Sequence, residues 1–308
     1  MVDTIIYLIL VPMVYLVVFG TYLWLFYTEN PTARRLCTRF GIFAVLLHVG
    51  CMVVKGLSLG RLPMGTPFEF MCALALAMMA TYLVIEIRIQ VKNTGFLVTG
   101  MAFFLVFFGA AFSTTNPEVS PFLADPGYAG HAILVLLAYT ALSLSFLFAM
   151  LYLILNRQLM RKQFGLLFRR LPSLDTLERM SVGAVKMGVP LLFASLCLGH
   201  LWMYDLADRM DPAMAAKLSP WDPKIMVSWV ILIGYTIGLI GYRFFGWRGK
   251  RMNVMAVVGY LVMVATIGLI HHFFPSFHNF RSHQPLETLS GYTDAAADML
   301  VLVEGGDE

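Results

Sequence analysis

Apolar residues in this chain neither alternate nor keep to one helical stripe. They come in near-continuous runs of about 20 residues, parted by short polar connections. Eight runs are visible: 4–27, 40–57, 67–87, 95–113, 129–155, 181–204, 225–242 and 253–274. In hydrocarbon each backbone N–H and C=O must find its partner inside the segment, so such runs are helical. The pattern predicts an all-α polytopic membrane protein with eight transmembrane helices.

The polar connections set the orientation. Basic residues gather in alternate connections: Arg34, Arg35 and Arg39; Arg88 and Lys92; Arg157 through Lys186; and Arg243 through Arg251. Of the 22 Lys and Arg, only Lys55, Arg61, Arg209, Lys217, Lys224 and Arg281 fall elsewhere. Cytoplasmic loops carry the Lys/Arg excess, which places both termini outside the cytoplasm. The connection 114–130 has no basic residue and contains Pro117, Pro121 and Pro126, so it reads as a short ordered external lid. The cytoplasmic stretch 157–180 suits a short amphipathic surface helix. Its Ser173 and Asp175, with Glu178 three residues on, have helix-start character. The tail 284–308 is acidic and weakly ordered by composition. The transmembrane domain is therefore 1–283.

Composition narrows the class further. The chain is 59% hydrophobic and 13% charged, with mean hydropathy +0.76; soluble domains are about one-quarter charged. The net charge of +4 is distributed by topology and implies no nucleic-acid partner. Cys37, Cys51, Cys72 and Cys197 are dispersed and form no CxxC pattern, so they read as small buried hydrophobes. The start, Met1–Val2–Asp3, lacks the basic region of a cleavable signal peptide, and the run after it is long enough to span.

Histidine is the residue type whose placement departs from chance. In this topology His131, His200, His271, His272 and His278 all fall at the external face, with His283 just beyond. One interfacial histidine is ordinarily a solvated helix end. Several at one depth, from separate spans, also suit axial ligation of haem iron, a standard role of neutral imidazole. His131 and His278 are the preferred pair, because they come from different elements and flank the tryptophan-bearing loop 200–224; His200 is a further candidate. His48, near the middle of the second span, needs a partner at that depth. It is either a second ligand or relay, or a neutral histidine bonded to a nearby carbonyl or hydroxyl.

The loop itself carries Trp202, Trp221, Asp222 and Lys224. Tryptophans belong to interfacial belts in any case; a flat indole also stacks on a porphyrin. Asp222–Pro223 reads as an N-cap followed by a first-turn proline. Glu69, just inside the third span, requires a cation or donor, and Arg61 is nearest in sequence. That pair is either purely structural, or Arg61, like Lys224, serves a haem propionate.

At these residues the chain resembles the CcsA/ResC/CcmC superfamily of haem-handling membrane proteins. Four segments carry the likeness: 61–69; Gly130–His131 with Ala138–Tyr139; 172–178 with 188–192; and 221–224 followed by 246–249 and 277–280. It covers roughly 40–280. It implies an external loop presenting haem b, with His131 and His278 as axial ligands and Trp202, Trp221 and Asp222 on the loop. Partners would be haem, a second membrane maturation subunit and apocytochrome c, in a bacterial inner membrane. Of the family's Trp-Gly-x-x-Trp-x-Trp-Asp pattern only Trp202 and Trp221–Asp222 remain, Arg61 stands where a histidine is usual, and 225–242 has no histidine. These departures resemble the HemX-like branch, whose members act on the level of glutamyl-tRNA reductase. Haem delivery and non-catalytic regulation of haem synthesis are thus the two readings; a small-molecule transporter would need inverted repeats and broken helices. No residue must do covalent chemistry, so no catalytic residue is assigned.

Overall fold

A computed structural model describes residues 2–111, 121–209, 212–215 and 218–273, which are mostly helical with short connections. The helices are α1 (Val2–Thr28), α2 (Pro31–Leu59), α3 (Pro67–Ile89), α4 (Gly95–Ala111), α5 (Pro126–Met160), α6 (Leu166–Arg170), α7 (Leu174–Arg209), α8 (Pro212–Ala215), α9 (Pro223–Phe244) and α10 (Lys250–Phe273). A 3-10 turn, Pro121–Ala124, precedes α5. Each of the eight apolar runs coincides with a helix. Among the described residues six of these, α1, α2, α3, α5, α7 and α9, are long and apolar enough to cross a membrane, while α4 has 17 residues. His278, His283 and the tail 284–308 lie outside the described residues.

Four long helices begin in one way. Asn30–Pro31, Thr66–Pro67, Asp125–Pro126 and Asp222–Pro223 each place a capping side chain ahead of a first-turn proline. The caps accept from Thr32 N (2.7 Å), Glu69 N (3.1 Å), Gly127 N (2.7 Å) and Lys224 N (2.8 Å). The proline lacks an N–H the helix could not have used, and it keeps the residue before it extended.

The helices outrun the apolar runs. α2 starts at Pro31, so Arg34, Arg35 and Arg39 are helical and not in a loop. α7 runs 36 residues, of which 181–204 is the middle. The helix start at Ser173 belongs to α7, and the separate surface helix shrinks to the five residues of α6. The cause is the same in both places: apolarity marks what lipid covers, whereas helix needs only a cap and a compatible sequence.

α5 and α7 pack along most of their length and form the spine. Small residues allow it: a Cβ at Gly188 would lie 3.0 Å from Leu142, and Ser145 Oγ lies 3.2 Å from Ser181 Oγ. On one side α1–α4 surround Tyr15, Tyr22, Met78, Met79 and Tyr82. On the other, α9 and α10 close over Leu142, Leu192, Ile231, Tyr235 and Tyr260. The basic connections meet at one end of the bundle. There Arg170 pairs with Glu29, Asn93 Nδ2 donates to Arg170 O (2.7 Å), and Gly249 N donates to Glu178 (2.8 Å). His131, His200 and Lys224 sit at the opposite end.

Candidate functional site

A cavity of about 220 Å³ opens between α5, α7 and α9 at the end away from the basic connections. Its walls are mainly apolar, with His131, Tyr139, Ser195, His200, Lys224 and Ser228 as the polar members.

Both imidazoles are oriented by backbone carbonyls. His131 Nδ1 lies 2.8 Å from Ser195 O, and His200 Nδ1 lies 2.7 Å from Leu196 O, one turn back on its own helix. A carbonyl only accepts, so Nδ1 carries the hydrogen on each ring. In the neutral ring the lone pair then belongs to Nε2. A carbonyl holding Nδ1–H is the usual support of a metal-ligating histidine: it fixes the tautomer and raises the basicity of Nε2. The His131 ring lies over Gly199, where a Cβ would come within 2.7 Å of it. Trp229 meets the His200 ring edge-on, with centroids 6.0 Å apart.

Trp202 borders this cavity and is 6% exposed. Its Nε1 donates to Asp125 Oδ1 (3.1 Å), and its ring packs on Tyr128 at 5.6 Å. Gly127 is required beneath it, because a Cβ there would lie 2.3 Å from the indole. Asp125 also receives the Gly127 N–H and pairs with Arg209 at 2.9 Å. Burial alone would raise this carboxyl; the Gly127 N–H and the Arg209 guanidinium outweigh it and hold the carboxyl below its ordinary value.

The expected site residues therefore separate. His131, His200, Trp202 and Lys224 come together. Asp222, 5% exposed, caps α9 and positions Lys224 two residues on. Trp221 is 73% exposed and stands outside the cavity wall. Arg61 is elsewhere: its guanidinium grips Glu69 at 3.0 and 3.3 Å and donates to Leu62 O. Glu69 also accepts from Gly65 N and Thr66 N and lies 3.4 Å from Lys55 Nζ. Of the two readings of Arg61, the structure supplies the ion pair. His48 is fully buried 2.9 Å from the Tyr15 hydroxyl, in the α1–α2 interface and away from the cavity. His278 lies outside the described residues, and the side chains of His271 and His272 are likewise not described.

Sequence reading passed over Ser195, Ser228 and Trp229. Ser228 is one turn after Lys224 and donates to its carbonyl (2.7 Å), so the i, i+4 spacing on α9 was the available signal. Ser195 contributes a backbone oxygen, which no residue type announces. Among the described residues no three His, Cys, Asp or Glu form a metal cage. Two imidazoles suit a metal whose equatorial positions are already filled by a macrocycle.

Taken together, the fold is that of a polytopic helical membrane protein with an imidazole-lined cavity at one mouth. Residues 64–271 match the family described as Cytochrome C assembly protein, and the chain belongs to that family. Protein HemX of Brevibacillus brevis is 27% identical over 217 residues, covering 70% of this chain and 76% of that protein. Inner membrane protein YpjD of Escherichia coli strain K12 is 24% identical over 244 residues, covering 76% and 85%. Cytochrome c biogenesis protein CcsA of Mesostigma viride is 23% identical over 264 residues, covering 77% and 83%.

Proposed function

We propose that this protein handles haem b at the outer face of the bacterial cytoplasmic membrane in cytochrome c maturation. In this reading eight helices cross the bilayer and both termini are external. The observation that carries it is the convergence of two carbonyl-oriented imidazoles, His131 and His200, on one cavity beside Trp202.

The donor set fits haem. Haem supplies an iron that accepts imidazole nitrogen on its open axial positions. His131 Nε2 would take one; His278 is the partner the resemblance assigns, and His200 stands on the same wall. Lys224 offers a cation for a propionate. Trp202 supplies an indole at the rim, with its edge held by Asp125. The enclosed volume is below the 300–1,000 Å³ typical of ligand pockets. The macrocycle would therefore enter by one edge and leave the rest over the mouth, where a partner subunit and apocytochrome c could reach it.

The test is a visible spectrum of protein purified in detergent from haem-replete cells. A Soret band is expected, weakened in His131→Ala and lost in His131→Ala/His278→Ala. A colourless wild-type protein that stays colourless after haem addition would sink the reading. The HemX relative supports a second one: a membrane regulator of haem synthesis that sets the level of glutamyl-tRNA reductase. Deleting the gene would then change that enzyme's abundance while c-type cytochromes still mature.

A further inference from the structure

On the basic-end side of the imidazole cavity, with Ile231 common to both walls, α9, α10 and the edge of α7 enclose a second hollow of about 410 Å³. Its wall is almost wholly apolar, with Gly234, Gly238 and Gly259 forming the floor and Val185 and Met252 the basic-end limit. On α9 it runs from Val230 to Gly238, and on α10 from Met252 to Val262. At 1.5 Å per residue these are about 12 and 15 Å. Half of a bilayer's hydrocarbon is about 15 Å. The groove is one leaflet deep.

Cations stand at its basic end. Lys186 follows Val185, Arg251 precedes Met252, and Tyr242 is one turn beyond Gly238. Lys186 Nζ lies 4.8 Å from the Tyr242 ring and Arg248 Cζ lies 3.5 Å from the same ring, while Arg251 Cζ lies 5.1 Å from the Trp247 ring. Trp247 is itself fixed against α9, since a Cβ at Gly241 would lie 2.1 Å from it. Arg61, Lys92, Arg170, Arg179 and Arg209 are all paired with carboxylates. Lys186, Arg248 and Arg251 make no ion pair among the described residues. Glu178 comes close, but its oxygen accepts from Gly249 N at 2.8 Å. Three exposed, unneutralised cations thus cap an apolar slot of acyl-chain length.

We infer that this groove holds one anionic glycerophospholipid of the inner leaflet. Its phosphate rests on Lys186, Arg248 and Arg251, and one acyl chain lies along the glycines of α9 and α10. A transmembrane helix from another protein would also cover glycines, but it would leave the cation cap unanswered and would not stop at mid-bilayer. Basic recesses between helices at the cytoplasmic side have the matching chemistry for phospholipid head groups. The assignment to the inner leaflet rests on the proposed topology and not on haem binding.

Native mass spectrometry of the full-length protein in detergent tests it, with phosphatidylglycerol and phosphatidylcholine of identical chains as probes. Wild type is expected to retain one phosphatidylglycerol at about tenfold or greater preference over phosphatidylcholine, given the attraction of each cation for an anionic surface. Lys186→Gln/Arg248→Gln/Arg251→Gln is expected to erase the preference while phosphatidylcholine still binds. Gly234→Leu fills the groove where a Cβ meets nothing within 4 Å, and it is expected to weaken both lipids. Excess inorganic phosphate should leave the lipid bound. Equal binding of both lipids to wild type, a preference that survives the triple substitution, or displacement by phosphate alone would each overturn the assignment. An unchanged Soret band in all variants is expected and keeps this result separate from the haem reading.

Discussion

Two histidines of this protein, His48 fully buried and His131 half-buried, teach opposite lessons. His48 lies among α1–α4, where buried polar groups answer one another. Its Nδ1 meets Tyr15; Glu86 collects Tyr22 (2.6 Å), Thr38 (2.5 Å) and Lys92 (3.3 Å); and Glu69 is shared by Arg61 and Lys55. His131 lies between α5, α7 and α9, where the polar side chains turn toward a void. Most buried polar atoms of both regions are bonded, Thr94 Oγ1 at the α3–α4 connection being an exception. In the first, side chains bond one another across helices, as Tyr15 with His48 and Tyr22 with Glu86. In the second, backbone carbonyls hold Nδ1–H of His131 and His200, which puts the lone pair of each neutral ring on Nε2.

The sharpest break of this contrast is at Glu86, which is 1% exposed. Glu86→Ala leaves the Tyr22 hydroxyl without its acceptor and takes the carboxylate from Lys92, which keeps Thr38 and Arg34 O, and removing one member of a buried pair costs about 3–5 kcal/mol. Unfolding of the purified protein in a denaturing detergent titration should show that loss, whereas His131→Ala should unfold near the wild-type midpoint. Equal losses in the two variants would mean that the regions do not differ in kind.

Much of this was legible in the sequence, and the illegible parts have physical reasons. Runs of apolar residues marked eight helices, six of them long and apolar enough to cross a membrane among the described residues, because lipid leaves the backbone one way to bond itself. Glu69–Arg61 and the Asp222 cap followed from local spacing and burial cost. Helix ends did not, since Arg34 and Arg39 are tolerated in a helix that Asn30 caps beyond the apolar run. The Trp221 indole counts as a loop tryptophan in the sequence yet faces outward, because side-chain direction at a cap is set by the helix it starts. The pairing of His131 with Ser195 O is long-range and uses a backbone atom, so no residue pattern encodes it.

A smaller effect sharpens the His48 side. His48→Phe keeps the ring and its packing but removes the nitrogen opposite Tyr15. A buried hydroxyl deprived of its partner costs about 1–3 kcal/mol. Adding Tyr15→Phe removes the stranded hydroxyl and should recover part of that loss, a coupling a double-mutant cycle measures directly. The visible spectrum should be untouched throughout. Loss of the Soret band in His48→Phe would make this histidine a ligand and erase the distinction drawn above.

The smallest effect concerns the rim beside Trp202. Asp125 is held below its ordinary value in the folded protein because Gly127 N–H and Arg209 favour its charged form over the opposing effect of burial. A carboxyl depressed by folding adds stability at pH values above its unfolded value, about 3.9. That stability fades as the pH falls from there through the lower folded value, because in that window the unfolded chain binds the proton and the folded one does not. The rim should therefore loosen only in acid below about pH 4, with no change between pH 6 and 8 from this group. Trp202 fluorescence, isolated by subtracting a Trp202→Phe variant, should shift along that acid limb in wild type and be flat in Asp125→Asn. An equal acid transition in Asp125→Asn would assign the loosening to another carboxylate and remove Asp125 as the clamp on the indole.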